Sequence, residues 1–171
     1  MIATIIIKAA VSKNGVIGNS HNPPWFLPWG KGDLPGDLKR FKEDTFGYPI
    51  IMGRETAQVF KAPLPDRINI YLSLKNEWQA PKGFIRFPSL AQAIQVYERR
   101  FDKIFIIGGA KLIKHALLTK SADEMILTEA HQDFPGDVYF PNWDRDDWEV
   151  IKRESYPKFG YDIVHYKRRR L

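Results

Sequence analysis

The chain has 171 residues and no cysteine. That excludes disulfides, thiolate nucleophiles and cysteine-based metal sites, and it fits a reducing compartment. The four histidines, His21, His115, His131 and His165, are scattered without metal-ligand spacing, so no metal site is expected. No G-x-S-x-G elbow or other nucleophile–base pair stands out, which argues against covalent catalysis. Internal repeats, low-complexity tracts and long linkers are missing as well. The apolar start, Met1–Gly18, is interrupted by Lys8 and is followed by no small-residue cleavage site. It reads as a buried strand rather than a signal peptide or a membrane span, so the expected setting is the cytoplasm.

What is present suits one domain over residues 1–171. Hydrophobic residues make up 44% and aromatics 13%, a globular composition rather than a disordered one. A chain of this length can bury a sizeable core without staples. The formal net charge is +6, which suits anionic partners ranging from nucleic acid to phosphorylated cofactors. Part of that charge sits at Lys167–Arg170 and reads as a solvated strand end rather than a nucleic-acid arm.

Apolar runs alternate with helical patterns along the chain. Strand-type runs occupy Ile2–Val11, Tyr48–Gly53, Arg67–Ser73, Phe84–Phe87, Lys103–Gly109 and Glu124–Ala130. Helical patterns occupy Leu38–Phe46, Glu55–Lys61, Leu90–Arg100 and Lys111–Leu118. The end, Trp148–Arg168, reads as two antiparallel strands around a Lys-Phe-Gly turn. This alternation predicts an α/β domain: about eight strands in a mostly parallel sheet, an antiparallel C-terminal strand and about four flanking helices. Ligands of such sheets bind at the carboxyl ends of the strands.

Three places carry chemistry. Asp37 opens a helix and shares a face with Phe41, with Leu38 beside it. An acid alone at that position reads as a helix cap. Set among apolar neighbours it needs a partner, and a flat, weakly basic heterocycle with adjacent N–H donors would supply one. Gly53–Thr56 and Ile107–Leu112 each turn a buried strand into a helix, and each carries a cation, Arg54 or Lys111. Neither is a dinucleotide fingerprint or a P-loop, and either alone reads as a plain turn. Two together, with Lys75 after a third strand, suggest an elongated phosphorylated ligand at helix N-termini. Arg67 opens a strand after Pro63–Asp66, and its fork suits a ligand carboxylate.

Taken in order, these pieces resemble the dihydrofolate reductase family over nearly the whole chain. Ala10–Gly18 (AVSKNGVIG) resembles the first strand and the start of a mobile active-site loop. Leu34–Lys42 (LPGDLKRFK) resembles the family's acidic helix, and Pro49–Thr56 (PIIMGRET) its first cofactor turn. Pro63–Ser73 (PLPDRINIYLS), Ile106–Leu112 (IIGGAKL) and Leu127–Pro141 (LTEAHQDFPGDVYFP) resemble later family segments.

The resemblance implies NADPH-dependent reduction of 7,8-dihydrofolate to tetrahydrofolate by a monomer that binds folates and antifolate-type molecules. No nucleic acid or membrane is required. By motif, Asp37 would hold the pterin and Thr128 would support it, directly or through water. Ala10, Leu38, Phe41, Phe60, Leu64 and Ile107 would line the substrate pocket, and Arg67 would take the glutamate carboxylate. Gly53, Arg54, Glu55 and Thr56 would meet the cofactor at one turn, and Ile107, Gly108, Gly109, Ala110, Lys111, Leu112 and Ile113 at the other. Leu74 and Lys75 would meet its adenosine phosphate, and Leu72, Ser73, Ala10, Ile17 and Gly18 would also contact the cofactor. The Gly108–Gly109 bond is expected to be cis.

The chain departs from the family pattern in places. Lys8 stands where an apolar strand residue is usual, and a buried lysine needs a partner or an exit to water. Ala110 replaces a glycine, Ile113 replaces a tyrosine, Leu74 replaces a serine and Val59 replaces a small polar residue. Residues 18–36 form an enlarged loop with two Pro-Trp pairs. Keeping Leu34-Pro35 directly before the acidic helix makes Trp29 the active-site tryptophan rather than Trp25, with Leu27 at the gate. Asp33 then reads as a solvated turn residue. Two other readings are a reductase of the riboflavin-pathway type and a basic binding protein on the same scaffold.

Overall fold

The first apolar run forms β1 (Thr4–Val11), whose side chains alternate between the two faces of a sheet. In this computed structural model, which describes residues 1–23, 26–30 and 32–170, β1 lies inside an eight-stranded sheet. Its parallel partners are β6 (Lys103–Gly108) and β7 (Glu124–Ala130). Outward from β6 come β3 (Pro49–Gly53), β4 (Ile68–Leu72) and β5 (Phe84–Phe87), all parallel. Outward from β7 come β10 (Tyr161–Arg168) and β9 (Trp148–Tyr156), both paired antiparallel. The expected α/β domain, a mostly parallel sheet closed by an antiparallel C-terminal hairpin, is the one observed.

The helices are α1 (Asp37–Thr45), α2 (Arg54–Val59), α3 (Leu90–Tyr97) and α4 (Ala110–Leu118). They separate by sheet face. Ile6, Ile50, Met52, Phe105 and Ile126 form one core with Ala57 of α2. Ile5, Ile7, Ile51 and Ile106 form the other, with Leu90 and Ala93 of α3 and Ala116 of α4. Two features differ from the sequence expectation. The helix expected to reach Arg100 ends as α3 at Tyr97, and bonded turns through Arg100 and Phe101 follow. A second sheet pairs β2 (Val16–Gly18) with β8 (Val138–Tyr139). Strands of three and two residues are too short to leave a period in the sequence. No described helix is long and apolar enough to cross a membrane.

Candidate active site

Ala10, Thr128, Gly53, Leu72 and Gly108 stand at or near the carboxyl ends of parallel strands, Asp37, Leu38 and Phe41 lie on α1, and Arg67 precedes β4 at its amino end. Ala10 and Thr128 are register partners on β1 and β7. Thr128 is 3% exposed, and its hydroxyl donates to Oδ1 of Asp37 at 2.5 Å. This bond links residues 91 apart in the chain and fixes the first residue of α1 over the sheet. Gly36, at φ 85°, turns the chain into the helix in a left-handed conformation that glycine adopts without strain. The Tyr161 hydroxyl donates to the Pro35 carbonyl at 2.6 Å and steadies the same entry.

The apolar walls are partly built. Phe60, Leu64 and Ile107 are half-buried against the core that contains Ile6 and Phe105. Buried Asn69 holds Leu64 in place, accepting from its N–H and donating to its carbonyl, both at 2.9 Å. Phe41 is half-buried on α1, whereas Leu38 is 65% exposed. Arg67 is tied down by its surroundings. Its Nε donates to Thr45 at 3.1 Å, one Nη to the Pro65 carbonyl at 2.5 Å and the other to the Lys42 carbonyl. Three of five N–H groups are thereby used, leaving two for a carboxylate. Beside it an open groove of about 440 Å³ is lined by Lys39, Lys42, Glu43, Phe46 and Arg67.

The two strand-to-helix turns lie side by side, because β3 and β6 are neighbours and Met52 pairs with Gly108. The Gly108–Gly109 bond is cis, as expected. A Cβ built on Gly109 would stand 3.4 Å from Thr56 Oγ1, and one on Gly53 would stand 3.9 Å from the Gly109 nitrogen. These two turns therefore form one cradle. The N-terminus of α4 has no side-chain cap, so its first N–H groups are free for an anion. Leu72 pairs with Gly53 and extends the row to β4. Ser73 follows, its hydroxyl donating to the Lys75 carbonyl at 2.7 Å, while Lys75 lies 3.8 Å from Glu77. Arg54 and Thr56 are half-buried, Glu55, Lys111 and Leu74 are exposed, and Ala110 is intermediate. Leu112 and Ile113 are buried in the core under α3 and α4, so their side chains pack inward.

The described residues at the start of the expected active-site loop are fastened to the segment before β8. Gly18 closes β2, and its carbonyl accepts from the Asp137 N–H at 3.2 Å. Asp137 in turn accepts from the Ser20 N–H at 2.8 Å and from the Ser20 hydroxyl. Those bonds hold the Asp137 carboxyl below the usual range. Asn14 exchanges hydrogen bonds with the Phe134 backbone, both at 3.1 Å. Ile17 is half-buried against the α3–α4 core, and Leu27 is 42% exposed. Trp29 is half-buried and meets Phe134 edge-on at 5.8 Å, while Trp25 lies outside the described residues. Asp33 is an exposed turn acid that accepts from the Gly30 N–H at 2.6 Å. Asn69, Tyr161 and Asp137 support the site without being among the expected site residues. Only Asp137 carried a signal, its place within the Leu127–Pro141 segment.

Lys8 has the partner its burial requires. It is 6% exposed, and its ammonium lies 2.9 Å from Oδ2 of Asp44 on α1. No cluster of histidine and acid side chains suited to a metal occurs among the described residues. A larger cavity of about 540 Å³, lined by Lys114, Trp143, Trp148 and Arg168 among others, contains none of the expected site residues.

The dihydrofolate reductase family model matches residues 3–169. A dihydrofolate reductase of Buchnera aphidicola is 41% identical over 164 residues, covering 95% of this chain and 94% of that protein. One from Haemophilus influenzae is 36% identical over 147 residues, covering 86% and 84%. Among solved structures, dihydrofolate reductase from Enterococcus faecalis complexed with NADP(H) and RAB-propyl superposes with a TM-score of 0.83. It is 27% identical, and the match covers 99% of this chain and all of that one.

Proposed function

The chain belongs to the dihydrofolate reductase family and is an NADPH-dependent oxidoreductase that reduces 7,8-dihydrofolate to 5,6,7,8-tetrahydrofolate; we propose that Asp37 anchors the pterin for that reaction. The observation that carries the choice of acid is its hydrogen bond from buried Thr128. One carboxylate oxygen is oriented by that hydroxyl. The other remains for the pterin, and the pair can take the ring's N3–H and 2-amino group as charge-assisted bonds. Ala10, Phe41, Phe60, Leu64 and Ile107 enclose the ring, with Leu38 at the rim. Arg67 takes the glutamate α-carboxylate with its two remaining N–H groups.

The cradle of Gly53, Thr56, Gly108 and Gly109 fits a pyrophosphate, since backbone approaches backbone with no side chain between. Arg54, Thr56 and Lys111 would hold the phosphates, and Lys75 the adenosine end. NADPH, when bound there, supplies the hydride that reaches pterin C6. The chain's own work is positioning, charge stabilisation and exclusion of water. A proton reaches N5 through water, because Asp37 is engaged at the far edge of the ring. Residues 1–171 form one domain in which the enlarged active-site loop at 18–36 acts as the lid, with Trp29 as its active-site tryptophan and Leu27 as its gate. On this reading the enzyme works as a cytoplasmic monomer, needs neither nucleic acid nor membrane, and binds antifolate-type molecules.

Mixing the protein with NADPH and dihydrofolate and following NADPH absorbance tests the reading. Oxidation of NADPH that depends on dihydrofolate and yields tetrahydrofolate is expected. No turnover across the neutral and mildly acid range would overturn it.

A further inference from the structure

The helix that carries Asp37 has little apolar grip on the sheet. Of α1's nine residues only Thr45 is fully buried. Its exposed positions Leu38, Lys39, Lys42 and Glu43 face solvent. What ties α1 down is a short series of polar contacts. Asp37 accepts from Thr128 at one end, Arg40 donates to the Tyr156 hydroxyl at 3.0 Å in the middle, Asp44 meets Lys8 at 2.9 Å near the other end, and Arg67, just before β4, donates to Thr45 and to the Lys42 carbonyl.

The Lys8–Asp44 tie differs from the rest in its position. Lys8 and Ala10 are two apart on β1 and point to the same face, with Ile126 and Thr128 as their β7 partners. The Lys8 row therefore lies roughly 7 Å from the Asp37–Thr128 row. Asp44 lies two turns, about 10 Å, along α1 from Asp37. Residues 37, 41 and 44 share one helix face. That face is thus fixed to neighbouring strands at both ends of Phe41, once to β7 and once to β1. An ammonium on a buried stem sets a spacing that soft apolar side chains would not.

We infer that the Lys8–Asp44 ion pair is a positioning device that sets the height of α1 above β1, and with it the width of the slot that receives the pterin. Lys8 touches no expected reacting atom and acts through α1. The inference rests on Asp37 as the pterin anchor, and wild-type turnover in the same assay tests that premise separately. The residues expected at the cofactor's phosphates and adenosine end lie on β3, β4, β6 and their following turns, and only Ala10 of the cofactor contacts shares β1 with Lys8, so the NADPH Kd should depend little on the pair.

Three variants decide it. Lys8→Met leaves Asp44 without its cation, and Asp44→Asn, at a side chain 36% exposed, removes the other charge where the fold tolerates it. Lys8→Met/Asp44→Leu removes both charges, so neither is left buried alone. Each should raise the dihydrofolate KM roughly tenfold, the scale of sub-ångström misplacement, while the NADPH Kd stays within about twofold. The double variant should regain the melting temperature lost by Lys8→Met without regaining the KM. If Lys8→Met fails to fold, Asp44→Asn and the double variant carry the test. A folded variant with depressed melting temperature and wild-type KM would make the pair merely structural. Parallel losses of dihydrofolate and NADPH affinity would overturn the inference too.

Discussion

Asp37 and Thr128 form the contact on which the site turns, and each depends on the other for its geometry. Thr128 is buried, so its hydroxyl needs an acceptor, and Asp37 Oδ1 is that acceptor. Thr128→Val removes the donor at nearly constant shape. It should lower kcat/KM for dihydrofolate by roughly tenfold, the value of one oriented charge-assisted bond. Steady-state kinetics against dihydrofolate and against NADPH separate that effect from a cofactor effect. Arg67 makes a second residue-scale prediction. Arg67→Lys keeps the charge but loses the fork and the bonds to Thr45, Pro65 and Lys42. It should raise the dihydrofolate KM about tenfold or more and leave kcat near wild type, as a lost ground-state contact does. Asp37 and Arg67 stood out in the sequence as an acid opening an amphipathic helix and an arginine opening a strand, local patterns that alone read as a cap and a turn and that took on site roles only through the family resemblance. Asn69 was not legible. Its role is to bond a loop five residues away, which no periodicity announces.

At the scale of elements, the lid is held by the small β2–β8 sheet and the segment before β8. Gly136 is packed there without room. A Cβ on it would stand 2.3 Å from Val16 Cγ1 and 2.4 Å from the Gly18 carbonyl oxygen. The second neighbour is backbone, so Gly136→Ala must push β2 from its partner. The expected cost is about 1–3 kcal/mol of local stability, with faster hydrogen exchange at the Asp137 and Phe140 amides, which donate to the Gly18 and Gly15 carbonyls. Exchange unchanged at those amides would show that the segment yields without strain. The long elements were legible, since the runs that became β1, β3, β4, β6 and β7 are buried on both faces and read as near-continuous apolar strands. The lid was legible only in part. Its two Pro-Trp pairs offered two registers, and the sequence preferred Trp29 only by keeping Leu34-Pro35 directly before α1; the contact Trp29 makes, with Phe134, comes from more than 100 residues away. Lys8 showed in the sequence that a partner was needed, but Asp44 came from α1 by folding.

For the molecule as a whole, the sheet brings ionisable groups together along one face, and this gives its stability a pH dependence. His165 on β10 shares a sheet row with Lys8 and Ile126 and pairs with Lys152 of β9. Burial first, and then Lys152, push its pKa below the usual 6.5; Lys8 adds to this, and Glu154 and Asp44 oppose it. The unfolded chain therefore takes up this proton at a higher pH than the folded one does. Stability is unaffected by His165 above that range and falls as pH drops below about 6.5. Replacing His165 with glutamine should flatten that part of a melting-temperature profile, while loss at still lower pH persists because Asp162 and Glu154 are held below their usual values. On the proposed reading the sheet holds one acid, Asp37 at the start of α1, through Thr128 of β7 and presents a phosphate cradle at the ends of β3 and β6. The most direct test compares wild type with Asp37→Asn in dihydrofolate turnover at neutral pH, alongside NADPH binding measured by fluorescence. The account predicts turnover reduced at least a hundredfold, in keeping with the loss of a charged anchor, and an NADPH Kd within about twofold of wild type. Full activity in Asp37→Asn would contradict it.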